Sequence, residues 1–378
     1  MSVRHNSTAL YIHVPFCINK CVYCDFNSII LQSSMVEEYL RAIEIELRTR
    51  AKGETFKTIF IGGGTPTVLD ETQLERLFRI VSEYFEDSQL VEYSIEVNPG
   101  TLNDRKIEIL KRSHINRISL GVQTFHDTYL KLLKRIHTSD RAKETFFSLR
   151  ENGFSNINID LIYGYPGQIL GEWELDLKES LLLEPDHVSA YCLSYEEGTP
   201  LVHLIDSGTL SRLDEDKELE MYDYLKHTLT KSGFVHYEIS NYAKNGKECL
   251  HNLIYWKNRE YVGIGPGAFS YLNGERFSNI RNVKDYLSAV SSKRSVISFS
   301  EKLSPERRAS ETLIMALRLI RGISRKEFFD RSGFDVMDLF KEQVNDLVKA
   351  DLICLDNKRV RLTKRGVSFA DSVMMEFV

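Results

Sequence analysis

Short apolar runs alternate with helix-periodic stretches through the first 230 residues, and this alternation limits the fold more than any other feature of the chain. The apolar runs fall at residues 10–16, 58–63, 92–97, 117–123, 156–163 and 187–193. Between them, residues 35–51, 71–85, 104–112, 138–152, 171–182 and 214–232 carry apolar side chains at helical spacing, as Leu74, Leu77, Phe78 and Val81 do in the second. Strands separated by helices read as parallel βαβ units. Repeated six times, they predict an α/β fold, a partial (β/α)6 TIM-type barrel, with a doubly wound sheet as the rival architecture. Residues 1–235 are expected to form this core. Residues 236–300, rich in aromatics and glycine, are expected to extend it, with a Ser- and Lys-rich linker over 291–305. Residues 301–378 read as a helical, winged-helix-like domain: amphipathic helices over 306–320, 325–331 and 335–349, a hairpin turning at Asp356-Asn357, and a last helix.

The chemistry-bearing residues gather just after the expected strands, where barrel enzymes build their sites. Cys17, Cys21 and Cys24 follow the first, and Gly62-Gly63-Gly64-Thr65 ends the second. Glu96 and Asn98, then Gln123, end the next two, and Asp160 lies in the fifth. The other cysteines, Cys192, Cys249 and Cys354, are scattered. No stretch resembles a secretory leader, so a reducing cytoplasm is expected, where structural disulfides are rare. Three thiolates on one short loop suit an iron–sulfur cluster or zinc. Structural zinc needs four closed ligands. His13 is a candidate fourth, but it lies within an expected strand and no second C-x2-C pair exists. A four-iron cluster with one iron left open is therefore the preferred reading over zinc or unliganded cysteines. The glycine triplet lacks the lysine of a P-loop, so a nucleoside triphosphate site is not expected.

Composition closes off other classes. The 378 residues hold 49 basic and 54 acidic side chains, a net charge of −5, which speaks against a phosphate-driven nucleic-acid binder. From Glu301 onward the balance is 15 basic to 13 acidic, with no dense basic patch. No run approaches the roughly 18 apolar residues of a membrane span.

Cys17-x3-Cys21-x2-Cys24, with Tyr23 before the last cysteine, resembles the radical S-adenosylmethionine (SAM) superfamily. The surrounding words narrow the resemblance: Tyr11-Ile12-His13-Val14-Pro15-Phe16-Cys17, Tyr23-Cys24-Asp25-Phe26, the segment 61–67, and DLIYGYPGQ over 160–168. They are similar to the oxygen-independent coproporphyrinogen III oxidase group, and within it to the haem chaperone branch. Phe26 stands where the oxidases proper carry a fourth cysteine. His251-Asn252-Leu253-Ile254-Tyr255-Trp256 matches the HNxxYW word of the chaperones. The resemblance spans essentially the whole chain.

What it implies is specific. Cys17, Cys21 and Cys24 would hold a 4Fe-4S cluster whose open iron chelates SAM, the source of a 5′-deoxyadenosyl radical on reduction. Tyr11, Tyr23, Gly63, Gly64, Thr65, Glu96, Gln123, Arg135 and Asp160 would line the SAM site, with Ser194 a looser match near the adenine. His251 would contact haem, with Cys249 as a second candidate ligand. Phe269 occupies a place where the family often has histidine. His137 is a weaker pocket candidate. The implied function is that of a cytoplasmic haem chaperone. Its partners would be haem or porphyrin, a haem-accepting apoprotein and an electron donor, with a peripheral membrane contact left open and no nucleic acid. The alternative is the oxidase itself, converting two propionates of coproporphyrinogen III to vinyl groups. Whether the chain is an enzyme stays open, and no residue is assigned a catalytic role.

Overall fold

The computed structural model describes residues 9–86, 88–356 and 358–378. Residues 1–8, at the expected leaderless N-terminus, and Asn357, in the expected hairpin turn, lie outside the described residues. Six strands follow one another as the alternation predicts: β1 (Ala9–Val14), β2 (Thr58–Gly63), β3 (Glu92–Val97), β4 (Arg117–Gln123), β5 (Ile157–Tyr163) and β6 (His187–Cys192). Six further strands are β7 (Val235–Glu238), β8 (Asn241–Ala243), β9 (Tyr261–Ile264), β10 (Phe269–Leu272), β11 (Glu275–Asn279) and β12 (Ile297–Lys302). All join one sheet, in the order β12-β11-β10-β9-β1-β2-β3-β4-β5-β6-β8-β7. The stretch from β9 to β6 is parallel throughout. The structure thus adds a seventh parallel strand, β9, beside β1. The stretch expected to be a linker is instead edge strand β12, paired with β11.

The strands are buried because the crossover helices cover their outer face. These are α1 (Ser33–Arg50), α2 (Glu71–Val81), α3 (Asp104–Arg112), α4 (Ser139–Glu151), α5 (Leu170–Leu182) and α6 (Glu215–Lys231). Helix starts follow local chemistry. Asp70 and Gln73 exchange side-chain and backbone hydrogen bonds as a capping box on α2, and Asn103 caps α3. Outward strand residues such as Ile118, Leu120, Ile157 and Ile159 are fully buried with Phe146, Leu149, Trp173 and Leu177 of the helices. Each contributes about 1.5–3 kcal/mol by leaving water.

The inward face has the opposite character at the same period of two. Glu92, Ser94 and Glu96 alternate along β3, Arg117 and Ser119 along β4, Asn158 and Asp160 along β5, and His187 and Ser189 along β6. These polar groups satisfy one another. Ser119 Oγ donates to Asp160 Oδ2 at 2.9 Å, and Asn158 Nδ2 to Asp160 Oδ1 at 2.7 Å. His187 Nδ1 lies 2.6 Å from Asn158 Oδ1, and its Nε2 lies 2.8 Å from Tyr237 Oη.

One end of this polar interior is plugged by α7 (Leu250–Trp256). The Glu92 carboxylate, at the start of β3, accepts from the backbone N–H of Leu250 (2.7 Å) and His251 (3.1 Å) at the helix N-terminus. That placement satisfies orphan donors and meets the positive end of the helix dipole. The C-terminal unit docks behind the plug. Its first helix, α8 (Pro305–Leu317), ends at Arg318, whose guanidinium lies 4.5 Å from the centre of the Trp256 ring. Asn258 Nδ2 also donates to Thr312 Oγ1 at 3.1 Å. The helix expected over 335–349 is interrupted at Phe340, and a third short strand, Ile323–Ser324, pairs with Arg359–Leu362 beside the expected hairpin. Residues of this unit, including Leu313, Phe328 and Val344, belong to the same continuous core as the barrel.

Candidate functional site

The ends of β1 to β6 converge on one cavity of about 580 Å³. Flat strands about 4.8 Å apart would spread these ends too far to share a wall, so the sheet curls around the cavity. Every residue named for the cluster and for SAM lines it: Cys17, Cys21, Cys24, Tyr11, Tyr23, Gly63, Gly64, Thr65, Glu96, Gln123, Arg135 and Asp160. Ser194 and His251 line it too.

The cysteine loop leaves β1 and is pinned at several points. Val22 N donates to Leu133 O at 3.4 Å, and Leu201 N to Val22 O at 2.9 Å. Val22, Leu133, Ile162, Tyr165, Leu193 and Leu201 form a small core of their own beneath it. Thr65 Oγ1 donates to Cys17 Sγ at 3.8 Å, and Arg135 Nη1 to Cys21 Sγ at 3.5 Å. Burial raises the Cys17 thiol above its ordinary range and pushes the Cys24 thiol up to about 11. Among the described residues, no three His, Cys, Asp or Glu side chains converge as a site for a single metal ion. A cluster spreads its ligands over separate irons, so three soft thiols along a cavity wall meet its donor demand.

The wall beside them is shaped for a close-fitting ligand. Gly63 has φ +112, and a Cβ there would lie 2.6 Å from the His13 ring. A Cβ on Gly64 would meet the carbonyl oxygens of Phe16 and Val14 at 2.6 and 2.9 Å. Only glycine fits either place. Gly63 N donates to Glu96 Oε2 at 2.9 Å. Burial, then the neighbouring Asp160 charge, raises the Glu96 carboxyl to about 7 against the pull of that N–H. Asp160 is also raised by burial, opposed by its hydrogen bonds and by Arg117. Gln123 sits at φ +71, where the register with β5 shifts at Gly121/Gln123. Arg135 Nη2 donates to Gly121 O at 2.8 Å, while its buried Nε has no partner. The donor set, the glycine cradle and this orphaned N–H fit a cluster with a polar ligand beside it.

The remaining histidine, aromatic and cysteine candidates are held in structural contacts or lie away from the cavity. His13 Nδ1 lies 3.0 Å from Tyr11 Oη and its Nε2 lies 2.8 Å from Asn27 O, so the ring ties β1 to the cysteine loop. His137 is buried between Asn98 Oδ1 and Val122 O, outside the cavity lining. Phe269 is exposed on β10 and does not line the cavity. His251 is fully buried, its Nε2 2.8 Å from Tyr255 Oη and its Nδ1 3.1 Å from Thr58 Oγ1. Burial and the nearby Arg117 charge lower its pKa to about 3. Direct ligation through either nitrogen requires one of these contacts to break. Cys249 is wholly buried and donates to Glu92 Oε1 at 3.5 Å, with its thiol pushed up to about 12 by burial.

The cavity also holds residues that the sequence analysis did not name: Phe60, Arg117, Ser119, Ser189 and Tyr191. For Arg117, Ser119, Ser189 and Tyr191 the signal was available as the period-two polar alternation of β4 to β6; Phe60, an apolar residue on β2, carried none.

Comparison with known proteins agrees with this geometry. Residues 11–179 match the Radical SAM superfamily, and residues 303–369 match the HemN C-terminal domain. The chain is 39% identical to the haem chaperone HemW of Bacillus subtilis over 97% of its own length and 98% of that protein. It is 37% identical to the haem chaperone HemW of Lactococcus lactis, over 97% and 96% respectively. Among solved structures, coproporphyrinogen III oxidase (HemN) from Escherichia coli, a radical SAM enzyme, superposes with a TM-score of 0.86. At 24% identity, covering 99% of this chain and 91% of that one, the likeness is one of fold.

Proposed function

The chain belongs to the haem chaperone HemW family of the radical SAM superfamily, and from that premise we propose that it binds haem and delivers it to acceptor apoproteins. Cys17, Cys21 and Cys24 hold a 4Fe-4S cluster in this reading, and SAM lies against Gly63, Gly64 and Thr65. When bound, a reduced cluster of this kind supplies one electron to the sulfonium of SAM. The protein's own part is to bind, orient and keep dry. Glu96 and Asp160 accept hydrogen bonds from the ammonium or the ribose hydroxyls, Arg135 faces the carboxylate, and Gln123 offers a donor and an acceptor. The partners are haem, an acceptor apoprotein and an electron donor, in the cytoplasm. Among the described residues no helix is long and apolar enough to cross a membrane.

The observation that carries this reading is that three thiols and nine ligand-type residues, spread over some 150 positions, line one cavity. Phe26 favours the chaperone over the oxidase, since the oxidases proper carry cysteine there. The test is anaerobic reconstitution with iron and sulfide, followed by haem titration and transfer to an apocytochrome. A haem absorption band and transfer are expected. Absence of the band overturns the proposal, as does efficient conversion of coproporphyrinogen III to the divinyl product in the presence of SAM and reductant.

A further inference from the structure

The mouth of the cavity carries three exposed apolar side chains. Phe26 is 61% exposed, Ile18 49% and Ile136 37%, and all three line the cavity. Isolated exposed apolar side chains are ordinary, but here three border one opening. Lys20 and Lys134 are exposed on the same wall, with Asp25 as the acid among them. This rim is built in advance of any ligand. Asn19 Nδ2 donates to Lys134 O at 3.0 Å, which ties the loop bearing Ile18 and Lys20 to the segment bearing Lys134 and Ile136. The Val22–Leu133 backbone bond and the Arg135–Cys21 contact fasten the same two segments deeper down.

We infer that this rim is the haem site: one face of the macrocycle rests on Phe26, Ile18 and Ile136, and its two propionates pair with Lys20 and Lys134. The inference rests on the haem-chaperone reading and adds a location to it. The chemistry is complementary on both counts. A flat apolar ring gains from covering exposed apolar side chains, and a dianion gains from two lysines outnumbering one aspartate. A ligand lying on a rim keeps its other face in water, where an acceptor protein can reach it. The fully buried His251, by contrast, sits at the plugged end of the barrel with both ring nitrogens engaged. Haem delivered from the rim never has to pass the cluster.

Haem titration of the reconstituted, cluster-loaded protein tests this. Phe26→Ala and Ile136→Ser should each weaken haem binding by about ten-fold, the loss expected from uncovering part of an apolar contact. Ile136→Ser lies outside the cysteine loop, so it reads the surface even if Phe26→Ala loses its cluster. Lys20→Ala/Lys134→Ala should weaken haem binding and flatten its salt dependence. It should also abolish the preference for haem over haem dimethyl ester, whose side chains carry no charge. Unchanged affinity in Ile136→Ser and the lysine pair, with the ester binding the wild type as tightly as haem, overturns the rim site while leaving the chaperone reading intact. A wild type that binds no haem overturns both.

Discussion

Glu96→Gln separates binding from stability at the cavity. The Glu96 carboxyl has its pKa raised to about 7, from an ordinary value near 4.5. Between those two pH values the unfolded chain has released this proton while the folded chain keeps it. Stability therefore falls as pH rises through this window and levels off above the folded pKa. At 1.36 kcal/mol per unit the full shift amounts to about 3 kcal/mol. Because the side chain borders a water-accessible cavity, we take about 2 kcal/mol. Glutamine keeps an oxygen to accept the Gly63 N–H but has no charge to bury. For a chain of this length, with an unfolding entropy of ~0.8 kcal/mol/K, the melting temperature of Glu96→Gln should exceed that of wild type by roughly 2–3 °C at pH 8 and match it near pH 4.5. Glu238, also raised to about 7 by burial, and Asp176, raised to about 6, titrate in both proteins and cancel in the difference. The assay is thermal unfolding of the cluster-free protein across pH 4.5–8. A difference that stays flat across that range refutes the argument. In the reconstituted protein the same substitution should weaken SAM binding, so the stability gain comes at the site's expense.

Cys17→Ala, Cys21→Ala and Cys24→Ala should each prevent cluster assembly, read as loss of the visible iron–sulfur absorption, whereas Cys354→Ala, in the distant C-terminal sheet, should assemble as wild type. Gly63→Ala forces a side chain onto the His13 ring at positive φ and should cost about 2 kcal/mol or more of stability, together with SAM affinity; normal melting and normal binding would contradict the cradle. Arg117→Met leaves Glu92 and Asp160 in the barrel interior without their nearby buried cation and should destabilise by about 3 kcal/mol in denaturant unfolding. His251→Ala removes the contacts to Tyr255 and Thr58 at the barrel plug and should lower stability by about 2–4 kcal/mol, where a loss below about 0.5 would show that the plug does not depend on it.

The six first strands and their helices were legible because each buries one face locally, and burial writes a period into the sequence. β9 was not, because Tyr261–Ile264 is the ninth strand in sequence yet inserts beside the first, a pairing set by the tertiary fold alone. β12 read as a linker because Ile297–Lys302 is an edge strand with its side chains largely exposed, so Ser and Lys cost it nothing. The break at Phe340 left no helix-breaking residue to see. In the site, the cysteines and glycines stood out through spacing and position after strands. Arg117 did not, since it opens β4 at the end opposite to Gln123, and attention to the residues just after the strands passed over the inward-facing positions within them. His251 was singled out by its motif, but what the motif builds, a capped helix whose His251–Tyr255 pair and Trp256 face opposite neighbours, depends on Glu92 and Arg318 at remote positions.

The central claim is that three thiolates hold a cluster with one iron open to SAM. Electron paramagnetic resonance of the anaerobically reconstituted and reduced protein, with iron and sulfide analysis on the same sample, tests it most directly. The account predicts about four iron and four sulfide per chain and a spectrum that changes when SAM is added. Stoichiometric zinc in place of iron, or a cluster signal indifferent to SAM, would contradict it.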